Sequence, residues 1–271
     1  MSFRAVIGKI KKFGLVIWLG GWRELLPTLR SYLPYLGRIK NYRPYFDRLQ
    51  GKSGLEIGGP TKLFQKSGIL PIYPIIRSLD GCNFAERTIW EGELTAGETY
   101  LFDRHKPKGH QYLTDAVSLK DITDEKYDFI LSSHCLEHIA NPLKALREWL
   151  RVLKRNGALL LVLPAKKKNF DRKRQVTKLR HLLADYNNNV GEDDTTHLAE
   201  VIALHDRSLD SGLPGRNPLQ GQSIDNLQNR ALHHHVFSKE LLEDIYEYFK
   251  LRILAVDFSE PGHIIILGQK P

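Results

Sequence analysis

Hydrophobic spacing along the chain changes twice between Tyr127 and Pro164, and the changes outline three elements. Tyr127–Ser132 is a short apolar run of strand formers. Asn141 stands where a helix cap is wanted, with Pro142 at the first helical position, where its missing N–H costs nothing. Leu143, Leu146, Leu150 and Leu153 then recur on one face at helical spacing, with Trp149 beside them. Lys154 and Arg155 complement the negative helix end, and Gly157 is predicted to take the left-handed conformation that closes it. Ala158–Leu163 is almost wholly apolar, as a strand buried on both faces should be. Strand, helix and strand in this order form a βαβ unit, the building block of a parallel sheet.

The pattern extends in both directions. Gly54–Ile57 is a short strand that runs into Gly58 and Gly59, and Ile75–Leu79 and Gln111–Leu113 are further strand candidates. Residues 81–109 have no helical period and read as an irregular or hairpin insert. Near the C-terminus, Ser238 is placed to cap a helix, with Phe237 and Leu242 as a hydrophobic staple and Leu241, Leu242, Ile245 and Phe249 as its apolar face. Leu251–Phe258 and His263–Leu267 are two strands joined by the turn cluster Ser259–Gly262, which allows an antiparallel hairpin. Between Pro164 and the C-terminal helix periodicity is lost. Residues 165–236 are polar and rich in histidine, and loops of such length in compact domains are usually functional or disordered.

Charge adds an N-terminal arm to this picture. The net charge is +9, and residues 1–50, with ten Lys/Arg against Glu24 and Asp47, carry +8 of it. The rest is nearly neutral, lacks a basic face, and gives no support for nucleic-acid binding. In the arm, Phe3, Val6, Ile7, Ile10, Phe13 and Ile17 fall at helical spacing among lysines, so residues 1–40 suit either peripheral contact with a membrane surface or packing on the protein's own sheet. Phe13–Trp22 is too short to span a bilayer, and no small-residue cleavage site follows it. Two cysteines, Cys82 and Cys135, make no disulfide framework or metal spacing, and the expected location is cytoplasmic.

Gly54-Leu55-Glu56-Ile57-Gly58-Gly59 on a first strand, Ser133-His134-Cys135-Leu136-Glu137-His138 after a later one, the Asn141-Pro142 helix and Arg151-Val152-Leu153-Lys154 before Gly157 together resemble the class I S-adenosylmethionine-dependent methyltransferases, in particular the type 11 methyltransferase domains. The resemblance is strong over residues 53–165. It implies an α/β, Rossmann-like three-layer fold whose mostly parallel sheet ends in a C-terminal antiparallel hairpin strand. It implies S-adenosylmethionine as cofactor, with Glu56, Gly58 and Gly59 at its methionine end. An acidic residue ending the second strand would hold the ribose; Asp80 is preferred, with Asp103 as its rival. Asp115 and Ala116 would meet the adenine, and Ser133 and His134 would face the cofactor cleft. Pro60 and Lys62 replace the later glycines of the family's loop.

On this reading residues 51–271 are the methyltransferase domain, and residues 165–236 are inserted at the carboxyl edge of the sheet as a substrate cap. His138 has the right ordinary pKa for a general base near neutral pH, and so do His234 and His235 within the run 233–235. The cap histidines could instead bind a divalent metal or simply satisfy loop backbone; no metal ligands are assigned. Arg172 and Arg174 could clamp a phosphate or carboxylate. The expected acceptor is a hydroxyl on a small molecule, sugar or glycan. The competing expectation is a non-catalytic binding or scaffold protein with a blocked cleft beside Gly58.

Overall fold

The computed structural model describes residues 39–209, 225–260 and 262–271. Residues 1–38, and with them the amphipathic stripe of the arm, lie outside the described residues, as does the Gly/Pro-rich stretch around 211–218.

The strands are β1 (Ser53–Ile57), β2 (Ser78–Asn83), β3 (Arg87–Thr88), β4 (Gly92–Glu93), β5 (Gly97–Tyr100), β6 (Gly109–Leu113), β7 (Tyr127–Ser133), β8 (Leu153–Pro164), β9 (Arg252–Ser259) and β10 (His263–Gln269). The helices are α1 (Arg43–Leu49), α2 (Pro142–Val152), α3 (Leu179–Asn187), α4 (Leu198–Leu204), α5 (Asn226–Asn229) and α6 (Lys239–Tyr248). Eight strands form one sheet in the order β5-β6-β2-β1-β7-β8-β10-β9. β6, β2, β1, β7 and β8 are parallel, and β10 runs antiparallel to both β8 and β9. The expected reversed hairpin is therefore present. The short β3–β4 hairpin and the edge strand β5, antiparallel to β6, occupy the stretch read as an irregular insert.

Strand alternation splits the apolar residues into two cores. Leu55, Ile57, Ile130, Leu159 and Leu161 face α2 and α6, where Leu143, Leu146, Trp149, Leu242 and Ile245 pack against them. Phe129, Leu131, Leu160 and Val162 face the other way, onto Tyr45 and Leu49 of α1 with Phe64 and Tyr73. The described end of the basic arm thus belongs to the second core, and Tyr45 Oη donates to Asp257 at 2.7 Å.

The caps form as the sequence dictates. Asn141 Oδ1 accepts from Lys144 N at 3.1 Å, and Ser238 Oγ accepts from Leu241 N at 3.2 Å. The end of α2 departs from expectation. Asn156, with φ of 59°, takes the left-handed conformation foreseen for Gly157, and β8 begins directly at Leu153. A Cβ at Gly157 would lie 2.6 Å from the Leu153 side chain, so close packing is what requires glycine there.

Candidate active site

A cleft of about 850 Å³ opens at the carboxyl ends of β1, β2, β6 and β7, the edge where open α/β sheets bind ligands. Gly58 leaves β1 with φ of +76°, and its N–H donates to Cys82 O at 2.9 Å. A Cβ there would lie 2.9 Å from Cys135, so backbone alone fits beside the cleft.

Glu56 does not line the cleft. Leu55 and Ile57 face the first core, which turns Glu56 to the opposite side of the sheet, beneath the loop. Its buried carboxyl group accepts from Tyr73 Oη at 2.8 Å, Tyr100 Oη at 2.7 Å and Thr61 N at 3.3 Å. Burial pushes its pKa up to about 7 in spite of these hydrogen bonds. Gly59 is also covered, since a Cβ on it would run into Glu56 and Tyr100. Both residues shape the loop from below.

Asp80 lies outside the cleft, in the middle of β2, where it is registered with Leu55. Its carboxylate accepts from Tyr127 Oη at 2.7 Å and from His110 N at 2.9 Å. Asp103 accepts from the nearby His105 N and is not on the cleft wall either. The end of β2 is Asn83, whose Nδ2 donates to Gly59 O at 3.3 Å while its Oδ1 accepts from Gln111 at 3.0 Å. Asp115 and Ala116 do line the cleft, and Asp115 pairs with Arg230 at 3.0 Å. Ser133 and His134 line it too, and His134 Nε2 lies 2.8 Å from His263 Nδ1 at the start of β10.

Residues of the inserted segment build the facing wall, among them Asn169, Phe170, Glu192, His205, Arg230 and His233. Of the three histidines expected as bases, only His138 borders the cleft. Burial, then the nearby His233, lowers its pKa to about 3. His234 points to Asn226 and Glu192, and His235 to the Ala140 carbonyl, both behind the wall. His233 is the member of the run that reaches the cleft. Its Nδ1 lies 2.5 Å from Asp171 Oδ2, and its ring is 4.4 Å from that of His138.

Arg174 is not an open anion clamp. It is buried, donates to Asp171 Oδ1 at 3.0 Å and to the carbonyls of His233 and His234 at 2.8 and 3.0 Å, and so locks the Asp171–His233 pair. Arg172 is tied to Asp206. Glu137 is buried at the cleft floor, and neither oxygen makes a hydrogen bond of ordinary geometry; His134 Nδ1 is 3.5 Å away. Burial raises its pKa, but His134, His138 and His233 outweigh that and hold it below the usual carboxylate range. Among the described residues, two groups bring three ligand-type atoms within 4.8 Å of one another: Glu137, His138 and His233 in the cleft, and His181, His197 and His235 away from it.

Residues 83–161 match the family model described as a methyltransferase domain. A methyltransferase domain therefore lies within this chain, over residues 83–161. The chain is similar in structure to an S-adenosylmethionine-dependent methyltransferase from Aquifex aeolicus, with 14% identity, a TM-score of 0.47, and coverage of 89% of this chain and 93% of that one. It is similar also to the N-methyltransferase NodS from Bradyrhizobium japonicum (12%, TM-score 0.47, 84% and 91%) and to PigF with S-adenosylhomocysteine (15%, TM-score 0.45, 95% and 69%). No curated protein matches the sequence. Identities and TM-scores this low leave the assignment to the domain match and the sheet order.

The methyltransferase cleft fits its cofactor in kind. The left-handed turn at Gly58 lets backbone approach a ligand closely, and Asn83, its amide engaged by Gly59 and Gln111, stands at the strand end where a ribose acid was expected. Sequence reasoning missed Asn83, His263 and the Asp171–His233 pair, and took Glu137 only as a member of the motif Ser133–His138. No local pattern marked the first three, because each gains its role from a distant partner. No helix among the described residues is long and apolar enough to cross a membrane.

Proposed function

We propose that this enzyme O-methylates a hydroxyl of a small polar acceptor, a sugar or a glycan, with His233 as the general base. The observation that carries this reading is the buried Arg174–Asp171–His233 chain on the cleft wall. Asp171 accepts from His233 Nδ1–H, which fixes the tautomer and turns Nε2 outward as the proton acceptor. Arg174 keeps Asp171 ionised and holds the backbone of His233 in place. His138, with its depressed pKa, packs edge-on against His233 and orients the ring rather than taking the proton.

S-adenosylmethionine supplies an electrophilic methyl on a sulfonium. Gly58 and the loop after it, Asn83, Asp115, Ala116, Ser133 and His134 are the residues assigned to hold it. Glu56 and Gly59 support that loop without direct contact. Residues 165–236 serve as the acceptor cap, and exclusion of water between cap and sheet favours in-line transfer. We also place the enzyme in the cytoplasm, with residues 1–40 contributing peripheral membrane contact through their basic, aromatic composition.

The test is methyl transfer from labelled cofactor to a panel of polyols, sugars and glycosides, read by mass spectrometry. His233→Asn should lower kcat by about 10²-fold or more while S-adenosylhomocysteine binding, measured by calorimetry, stays within about threefold. Unchanged turnover in the variant would remove His233 from the reaction. Binding of S-adenosylhomocysteine with no turnover of any hydroxyl acceptor would favour the scaffold reading, which the open cleft beside Gly58 argues against.

A further inference from the structure

Behind the cleft wall, three histidines from separate segments converge. His181 lies in α3, His197 directly precedes α4 without a side-chain capping bond, and His235 ends the run that leads to α6. The ring centroids are 5.0 Å apart for His181 and His197, 5.4 Å for His197 and His235, and 5.6 Å for His181 and His235, with interplanar angles of 85°, 73° and 68°. His181 Nε2 and His197 Nε2 are 3.1 Å apart. Asp185, one turn after His181, brings Oδ2 to 3.4 Å from His181 Nε2 and 3.7 Å from His235 Nε2.

The 3.1 and 3.4 Å spacings about His181 Nε2 and the three ring separations are those of a tetrahedral shell, while the 3.7 Å contact of Asp185 runs to His235 Nε2, the nitrogen that faces Ala140. With Zn–N and Zn–O bonds of about 2.05 Å, neighbouring ligand atoms stand about 3.3 Å apart, and imidazole centroids about 5.2 Å. Hydrogen bonding within the group explains less. One N–H···N bond satisfies His181 and His197, but it leaves the buried Asp185 Oδ2 and His235 Nδ1 without partners. Orphaned buried groups of this kind are costly, and a single cation answers both. His235 has a nitrogen to give, since Nδ1 is unpartnered while Nε2 faces the Ala140 carbonyl at 3.1 Å, the outer bond a metal-ligating imidazole usually keeps. His181 is partly exposed and provides an entry path.

We infer that His181, Asp185, His197 and His235 form a structural zinc site that ties α3 and the start of α4 to the chain bearing His233. A ligand set complete in protein atoms leaves no open position for chemistry, so the role is structural. The four ligands come from three segments of the inserted region, of which α3 is already anchored in the first core through Leu179, Leu182 and Leu183. The site extends that anchorage to the start of α4 and to the segment bearing His233.

Metal analysis by mass spectrometry on full-length protein purified without chelator should find about one zinc per chain, and removal by a strong chelator should lower Tm and restore it on adding zinc chloride alone. Cobalt(II) in place of zinc should give the intense visible absorption of a tetrahedral site. His197→Ala and Asp185→Asn should lower zinc content to below about a third of that, whereas His138→Ala, in the cleft cluster, should keep it. Since a ligand variant that misfolds also loses zinc, the cobalt spectrum of the unmodified protein stands as an independent readout. Absence of zinc after incubation with equimolar zinc chloride, an octahedral cobalt spectrum, or zinc lost in His138→Ala but kept in His197→Ala would each overturn the assignment.

Discussion

Glu56→Gln tests how the buried carboxyl group beneath the cofactor loop is paid for by the fold. Glu56 is fully buried against Tyr73, Tyr100 and Thr61, and its pKa rises from an ordinary 4.5 to about 7. The native state therefore keeps a proton that the unfolded chain has already released. Stability from this group is fully present below 4.5 and is lost as pH rises through about 7. At 1.36 kcal/mol per pKa unit the whole effect is about 3 kcal/mol, and about 2 kcal/mol of it falls between about pH 5.5 and about pH 8.5. Glutamine keeps an acceptor for the tyrosine hydroxyls and has no charge to desolvate. Urea unfolding of both proteins at the two pH values isolates the difference from the histidines, which are common to both. The wild type should lose about 2 kcal/mol more than the variant across that range. Equal losses would refute the account, and a larger loss in the variant would mean that the carboxylate is stabilised by its tyrosines rather than strained.

Three further outcomes are expected. Gly58→Ala forces a Cβ into a left-handed residue and against Cys135, so urea unfolding should show a loss of about 1–3 kcal/mol, with weaker S-adenosylhomocysteine binding by calorimetry. Arg174→Leu takes the buried donor away from Asp171 Oδ1 and from two carbonyls and should cost about 3–5 kcal/mol by the same assay; a loss below about 1 kcal/mol would show that the chain of contacts is not tight. Deleting residues 1–38 should abolish co-sedimentation with vesicles of anionic lipid, and undiminished sedimentation would place any membrane contact elsewhere.

The parts legible in sequence were those set by local chemistry. Asn141-Pro142 and Ser238 mark helix starts because capping needs only a side-chain oxygen and a nearby N–H. The Ser259–Gly262 turn gave away the reversed strand. Asp80 misled because strand ends are not written locally: β2 continues for three more residues, and the residue at the cleft is Asn83. The orientation of Glu56 was available in principle, since Leu55 and Ile57 on either side face the first core and alternation sends Glu56 to the other face. The choice within His233–His235 was not. That segment has no regular period, and what distinguishes His233 is Asp171, far away in sequence. The same holds for Arg174, which looked like an anion clamp until its partners were seen.

Reversal of β10 changes which part of a strand can serve the cleft. The parallel strands meet the ligand edge only where they end, so the chain must be carried away from it, into the β3–β4 hairpin after β2, α2 after β7 and the inserted segment after β8. β10 meets it where it begins: His263 is registered against Pro164, and both His263 and Gly262 line the cleft. The β9–β10 connection, residues 260–262, is therefore a short rim that carries no crossover. Residues could be added to or removed from it without shifting the register of the five parallel strands, making it the place where the width of the acceptor space can vary independently of the cofactor loop.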